Sequence, residues 1–342
     1  MKSIKIMALV CATTLGLTSC SNNDTDLDLD LQTETKVLFT SNNSDGNVNM
    51  YNVSDMNNIS ISTITTATTK ADGIYYDGSE DLVVQASRST FGLEGYTGID
   101  VSGTSLTANV GVTGSLDMTS PRELAVSGNF YVVADNADVD GDDTTKDGRL
   151  FIYSKNGNSF TLRNTITTNF KLWGIVFKGN DLFAIVDTTN ELAVFSNFLS
   201  NTSTATVEAT KTIAIEGIVR THGLTYDATT DVMILTDIGE ASNGQDDGGF
   251  HIIEDFTSKF NATANNATLA VSQQTRVSGA STLLGNPVDV AYDSDTKTVF
   301  IAEAGNGGGR ILAFNNINNG GNLTPSYNTS LASASAVYLH KE

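Results

Sequence analysis

Apolar and polar positions alternate in short runs along most of the chain, and the runs follow a fixed order. Between Asn286 and Phe314 (NPVDVAYDSDTKTVFIAEAGNGGGRILAF), Val288, Val290 and Tyr292 alternate with Asp289 and Ala291, the period-two pattern of a strand. Asp293-Ser-Asp-Thr296 is turn chemistry, because short polar side chains bond their own backbone. Val299 to Ala302 is a second, more continuously apolar strand. Gly305 to Gly309 forms a loop where positive φ costs little, and Arg310 to Phe314 is a third strand.

The same order recurs upstream. Gly73-Ile-Tyr-Tyr-Asp77 precedes Leu82 to Ala86, and Glu123-Leu-Ala-Val-Ser127 precedes Phe130 to Asp135. Gly174-Ile-Val-Phe-Lys178 precedes Leu182 to Asp187, and Gly223-Leu-Thr-Tyr-Asp227 precedes Val232 to Asp237. Counting from positions 73, 123, 174, 223 and 289, the spacings are 50, 51, 49 and 66 residues. A period near fifty with several strands per unit predicts an all-β propeller. Ala334 to Leu339 reads as a first strand with nothing after it, and Lys36 to Ser41 as a second strand with nothing before it. Joined, they make one more unit. The expectation is a six-bladed β-propeller over 36–342, its ring closed by strands from both termini, with no open sheet edge there.

The first residues stand outside this pattern. Lys2 and Lys5 precede an apolar run from Ile6 to Leu17, too short to span a membrane as a helix but suited to a secretory leader. Leu17-Thr-Ser-Cys20 resembles the bacterial lipobox, which implies a signal peptide over 1–19 and lipidation of Cys20. The only other cysteine, Cys11, lies in the leader, so a mature chain has no disulfide to form. Residues 20–35 then read as the lipidated Cys and a flexible acidic tether, with SNNDTDLDLDLQ at its centre. A Ser/Asp-rich stretch in this place resembles surface-export signals of lipoproteins in Bacteroidota, which implies an outer-membrane, surface-facing address.

The chain carries 19 basic against 39 acidic residues. That balance excludes sequence-independent nucleic-acid binding, which needs phosphates neutralised by Lys and Arg. It also leaves the lipid as the contact with the membrane.

On "GLTYD…VMILTD" (Gly223 to Asp237) and "VAYD…VFIAEAGNGGGRILAF" (Val290 to Phe314), the region from about 36 to 339 resembles the six-bladed propellers of the NHL-repeat, lactonase and gluconolactonase grouping. That grouping holds metal-dependent hydrolases and pure binding modules alike. The resemblance implies a central channel lined by the first strands, here Gly73, Glu123, Gly174, Gly223, Asp289 and Ala336. Two of these are carboxylates, Glu123 and Asp289, with Asn286 close in sequence. In the hydrolase reading these two hold a divalent ion, with His222 as a base nearby, acting on a lactone or phosphoester.

The leading expectation is non-enzymatic: a binding or scaffold module for a protein or glycan, accessory to an outer-membrane complex. The residues just before the first strands are expected to ring one mouth of the channel. Arg122, Lys171, Trp173, Arg220 and His222 give that mouth a basic, aromatic character suited to a carboxylate, a sugar or a partner anchor. The plainer account is that these bases balance neighbouring acids. Separately, Asn136 to Asp147 (NADVDGDDTTKD) has calcium-loop spacing, with Asn136, Asp138, Asp140, Asp142 and Asp147 as oxygen donors and Gly141 at the turn. This implies a structural Ca2+; the plainer account is a solvated acidic tip. Asp135, Asp187, Asp237 and Glu303 close the second strands, and are read as caps accepting backbone N–H bonds away from the axis.

Overall fold

A computed structural model describes residues 34–98, 106–107, 110–142 and 144–342. The leader, Cys20, the tether up to Thr33 and Asp143 lie outside the described residues.

The chain is all-β, and its strands pair antiparallel in runs of four. Ala71–Asp77, Leu82–Ser87, Gly92–Thr97 and Val110–Thr113 form one run. It is joined by a single bridge, Thr113 to Ser159, to the run of Pro121–Ser127, Phe130–Asp135, Gly148–Asn156 and Ser159–Thr168. Three further runs start at Leu172–Lys178, Leu224–Asp227 and Pro287–Asp293. Lys36–Asn42, Val48–Asn52 and Ser60–Thr65 pair in order, and Ala334–Lys341 pairs antiparallel with Lys36–Asn42, Lys36 opposite Lys341. The innermost strands pack in succession from Ala71–Asp77 to Ala334–Lys341, and the last also contacts the first.

The hydrophobic core lies between neighbouring sheets. Leu82, Val84, Tyr131, Val133 and Phe151 fill one interlayer, and Ile234, Phe250, Val299, Ile301 and Phe314 fill another. A middle strand is therefore covered on both faces, which is why Leu82–Ser87, Val232–Asp237 and Thr298–Glu303 are buried at every position. The segment after Ile253 holds a short helix, Phe256–Ala262. Phe256 and Phe260, one turn apart, pack on Phe183. No helix among the described residues is long and apolar enough to cross a membrane.

The middle-strand acids are caps, as their spacing suggested. Asp135 accepts the N–H groups of Thr119, Ser120 and Ala137, and Asp237 those of Val219, Arg220 and Gly239. Each ties the loop that enters an innermost strand to the strand beside it. Asp187 differs from the expectation of standing apart. It accepts the N–H of its neighbour Thr188, and its carboxylate also turns to Arg220 and His222 on the approach to the next innermost strand.

Candidate functional site

Five of the six innermost strands share a backbone irregularity, and Leu224–Asp227 pairs without it. Pairing slips between Ala71 and Ile74, between Pro121 and Glu123, between Leu172 and Ile175, between Pro287 and Asp289, and between Ala334 and Ala336. An extra unpaired residue in a ladder bends the strand and re-aims a side chain. Below these bulges the strands approach closely. A Cβ on Gly73 would lie 2.4 Å from Leu124 N, and one on Gly223 would lie 2.5 Å from Asp289 Cα. Only glycine fits such contacts. Gly223→Ala is expected to destabilise the protein by about 1–3 kcal/mol, the usual cost of overpacking, readable as a lower urea midpoint at unchanged slope.

The residues expected at the mouth meet at these bulges, but in a closed arrangement. Trp173 and His222 stack with ring centroids 3.6 Å apart and planes 3° from parallel, and the Arg122 guanidinium lies 4.2 Å over the Trp173 ring. Arg122 faces Asp72 at 3.6 Å, and Arg88 faces the same carboxylate at 3.4 Å. Arg220 pairs with Asp187 at 2.7 Å. Lys171 is half-buried and contributes its carbonyl to Asp187 N. Burial lifts the Asp72 carboxyl to about 6 against the pull of both arginines. Burial would also lift Asp187, but His222, Asn136 and Arg220 hold it well below the usual carboxylate range.

His222 is buried, and burial pushes its imidazole down to about 4, outweighing Asp187. Its Nε2 stands 3.4 Å from Asp187 Oδ1 without a hydrogen bond. Since the charged imidazolium quenches a stacked indole more strongly than the neutral ring, the emission of this one tryptophan is expected to fall as pH drops through about 4. The step should vanish in His222→Gln. Emission flat from pH 6 to pH 3 would contradict the stack.

The open space lies on the other side of the bulges. A cavity of about 390 Å³ is lined by the downstream halves of the innermost strands. Glu123 and Asp289 form its inner end, Tyr75 and Tyr338 one wall, and Asp227 and Lys341 its outer part. None of Arg122, Lys171, Trp173, Arg220 and His222 lines it. The wall is lopsided for a simple reason. Two residues beyond the Gly73, Glu123, Gly174, Gly223, Asp289 and Ala336 level, the chain supplies Tyr75, Ala125, Val176, Thr225, Ala291 and Tyr338. Two large rings, with centroids 4.9 Å apart, fill one side and small side chains leave the other open.

Glu123 and Asp289 are both buried and near enough for each to shift the other's ionisation. Asp289 accepts the N–H groups of Val290 and Val337, each at 2.8 Å, and Glu123 accepts that of Leu124 at 2.8 Å. Burial raises the Asp289 carboxyl to about 7. Burial and the neighbouring Asp289 carry Glu123 well above its ordinary range. With the Asp289 carboxyl raised to about 7, the pair holds a group that can exchange a proton near neutrality, a recognised route to proton transfer. As a metal site the pair is thin, since a hard cation takes six or more oxygens and the other residues at this level are Gly and Ala.

Of the expected calcium donors, Asp138, Asp140 and Asp147 come together, with carboxylate oxygens within 4.8 Å of one another. Asn136 and Asp142 do not join them. Asn136 donates to the Leu172 carbonyl and to Asp187 at 2.9 Å, and Asp142 caps Thr144. Asn136 is thus used to brace the neighbouring innermost strand.

The solved structures place this architecture. A chain of a nidogen–laminin complex is similar with a TM-score of 0.57 at 12% identity, over 89% of this chain and 98% of that one. Two proteins described as candidate 6-phosphogluconolactonases are also similar. One, from Bacteroides uniformis, has a TM-score of 0.55 at 14% identity, over 88% of this chain and 84% of that one. The other, from Bacteroides fragilis, has a TM-score of 0.55 at 12% identity, over 94% of this chain and all of that one. The fold is propeller-like. No protein-family model and no curated protein matches the chain. At these identities the likeness carries the fold and leaves the activity to the site.

Missing from the sequence reading were Tyr75 and Tyr338, which shape the cavity. Their signal was present as two large residues at one level of a repeat whose other members are small.

Proposed function

We propose that the chain is a six-bladed propeller, closed by its two terminal strands, that serves as a non-enzymatic binding module of the cell envelope. Its ligand, the end of a glycan or a group presented by a protein, enters the cavity above Glu123 and Asp289. The observation that carries this reading is the cavity itself: an open, aromatic-walled recess with two convergent carboxyl groups at its inner end. The closure is supported by the pairing of Lys36–Asn42 with Ala334–Lys341, and by Lys36 and Lys341, which both reach Asp293 and Asp295.

In this reading Cys20 carries the lipid, residues 20–35 form the tether, and the propeller faces outward from the outer membrane beside a larger complex. The acids Asp138, Asp140 and Asp147 hold a structural Ca2+. At calcium a hundredfold above its dissociation constant, stabilisation of about 2.7 kcal/mol is expected, seen as a raised thermal midpoint that Asp138→Asn with Asp147→Asn removes.

The test is a ligand-observed NMR screen of the full-length chain against small ammonium, neutral-sugar and carboxylate fragments, repeated with Ala291→Phe, which fills the open side. Hits lost in the variant support the reading. A screen without hits, or hits indifferent to Ala291→Phe, overturns it.

A second reading places acid–base hydrolysis at the same pair, because one carboxyl of the dyad is protonated near neutrality. Turnover of a lactone or phosphoester that Glu123→Gln abolishes would select it. His222 does not line this cavity, so that chemistry would proceed without it.

A further inference from the structure

Resting on that reading, we infer that the cavity recognises a primary ammonium group, carried on a short alkyl or sugar frame. Three features of the wall point to it. The inner end is formed by acceptors: Glu123 and Asp289 bring four carboxyl oxygens together, three of them engaged by only a single backbone N–H. An ammonium has three donors and no acceptor, so it matches such a floor where a hydroxyl or a carboxylate does not.

The side wall is aromatic. Tyr75 and Tyr338 lie together along one flank, and the negative face of a phenol ring attracts a cation within about 6 Å. The opposite flank of Ala125, Val176, Thr225 and Ala291 is narrow in side-chain volume and takes a short apolar frame.

The charge balance agrees. The ionisable groups lining the cavity, besides tyrosines, are Glu123, Asp227, Asp289 and Lys341. Lys341 is already paired with Asp293 and Asp295, while Asp227 keeps its charge at the outer part, stabilised by bonds from Thr230 and Ser294. Asp72, behind the pair, adds to the negative field from the closed side, where Arg88 and Arg122 partly offset it. The carboxyl pair therefore sets the charge at the inner end, and Asp227 adds a further negative charge at the outer part. A bound ammonium replaces the proton held by the pair, so binding releases protons below neutrality and tightens as pH rises toward 8.

The experiment is isothermal titration of the full-length chain at pH 6 and pH 8 with n-butylammonium and glucosamine, set against n-butanol and glucose as uncharged counterparts. The expected result is binding of at least one ammonium compound, at least tenfold tighter than its counterpart and tighter at pH 8 than at pH 6 for n-butylammonium. Proton release should show as a heat that depends on the buffer's ionisation enthalpy. Glu123→Gln should weaken binding at least tenfold without lowering the thermal midpoint. Preference for n-butylammonium over glucosamine identifies an alkyl frame, and the reverse a sugar frame. Binding of glucose or n-butanol as tight as the amines, or ammonium binding unchanged in Glu123→Gln, overturns the inference while leaving a ligand-binding cavity in place. No binding by any compound of the three charge classes in the NMR screen would instead remove the binding reading itself.

Discussion

Glu303→Ala is expected to cost about 3–5 kcal/mol of stability, the largest effect of any single side chain discussed here. Glu303 closes a middle strand and is fully buried. Its two oxygens accept the N–H groups of Gly285 (3.0 Å), Asn286 (2.8 Å), Gly305 (2.7 Å) and Asn306 (2.8 Å). Both the loop entering the Pro287–Asp293 strand and the loop leaving the middle strand are held by this one carboxylate. Burial raises its pKa even against four amide donors, so the charge is costly to bury and is kept for the bonds it makes. Alanine leaves one buried and three part-buried donors without their acceptor. Glutamine keeps one acceptor oxygen but points an NH2 at donors, so Glu303→Gln is expected to lose about 2–4 kcal/mol. Urea unfolding of the full-length protein measures both, and a loss under 1 kcal/mol in Glu303→Ala would show that the clamp is dispensable.

Glu123→Gln is expected to stabilise the protein at pH 8 by about 2–4 kcal/mol and to do nothing of the kind at pH 4. Both carboxyls of the pair have folded-state pKa values above their unfolded ones, with Asp289 near 7. Between about pH 4 and pH 7 the folded chain therefore binds more protons than the unfolded chain. The pair's contribution is fully present below the ordinary carboxylate range and is lost as pH rises through the folded values. His222 works in the opposite sense: its folded pKa is lowered to about 4, so its contribution is lost as pH falls from about 6.5. The difference between wild type and Glu123→Gln across pH isolates the pair from this background. A difference that does not change between pH 4 and pH 8 would mean that the two carboxyls do not interact.

The repeat was legible because each middle strand is covered on both faces and each innermost strand alternates. Burial of that kind writes runs such as Leu82–Ala86 and Val232–Leu235 directly into the sequence. The caps Asp135, Asp237 and Glu303 were legible for the same reason, since they recur at one position of the unit. Which end of the channel is open was not legible. It depends on the bulges, which bring Arg122, Trp173 and His222 from successive strands into one stack. It depends too on the sizes of Tyr75 and Tyr338 against Val176 and Thr225 across the axis, and neighbours in space there are dozens of residues apart in the chain. The environment of Glu123 and Asp289 escaped for the same reason: their positions follow from the repeat, but their raised pKa values follow from burial and proximity across 166 residues of sequence. Asn136 misled because loop spacing says nothing of a competing partner, here Leu172 and Asp187 of the adjacent sheet.

The decisive measurement is a crystal structure of the full-length chain soaked with the tightest-binding compound from the fragment screen. Density is expected in the cavity between Tyr338 and Ala291, in contact with Glu123 or Asp289, with the Arg122–Trp173–His222 stack undisturbed. Density among Arg122, Trp173 and Arg220 with the cavity empty, or a metal ion held by Glu123 and Asp289, would contradict it.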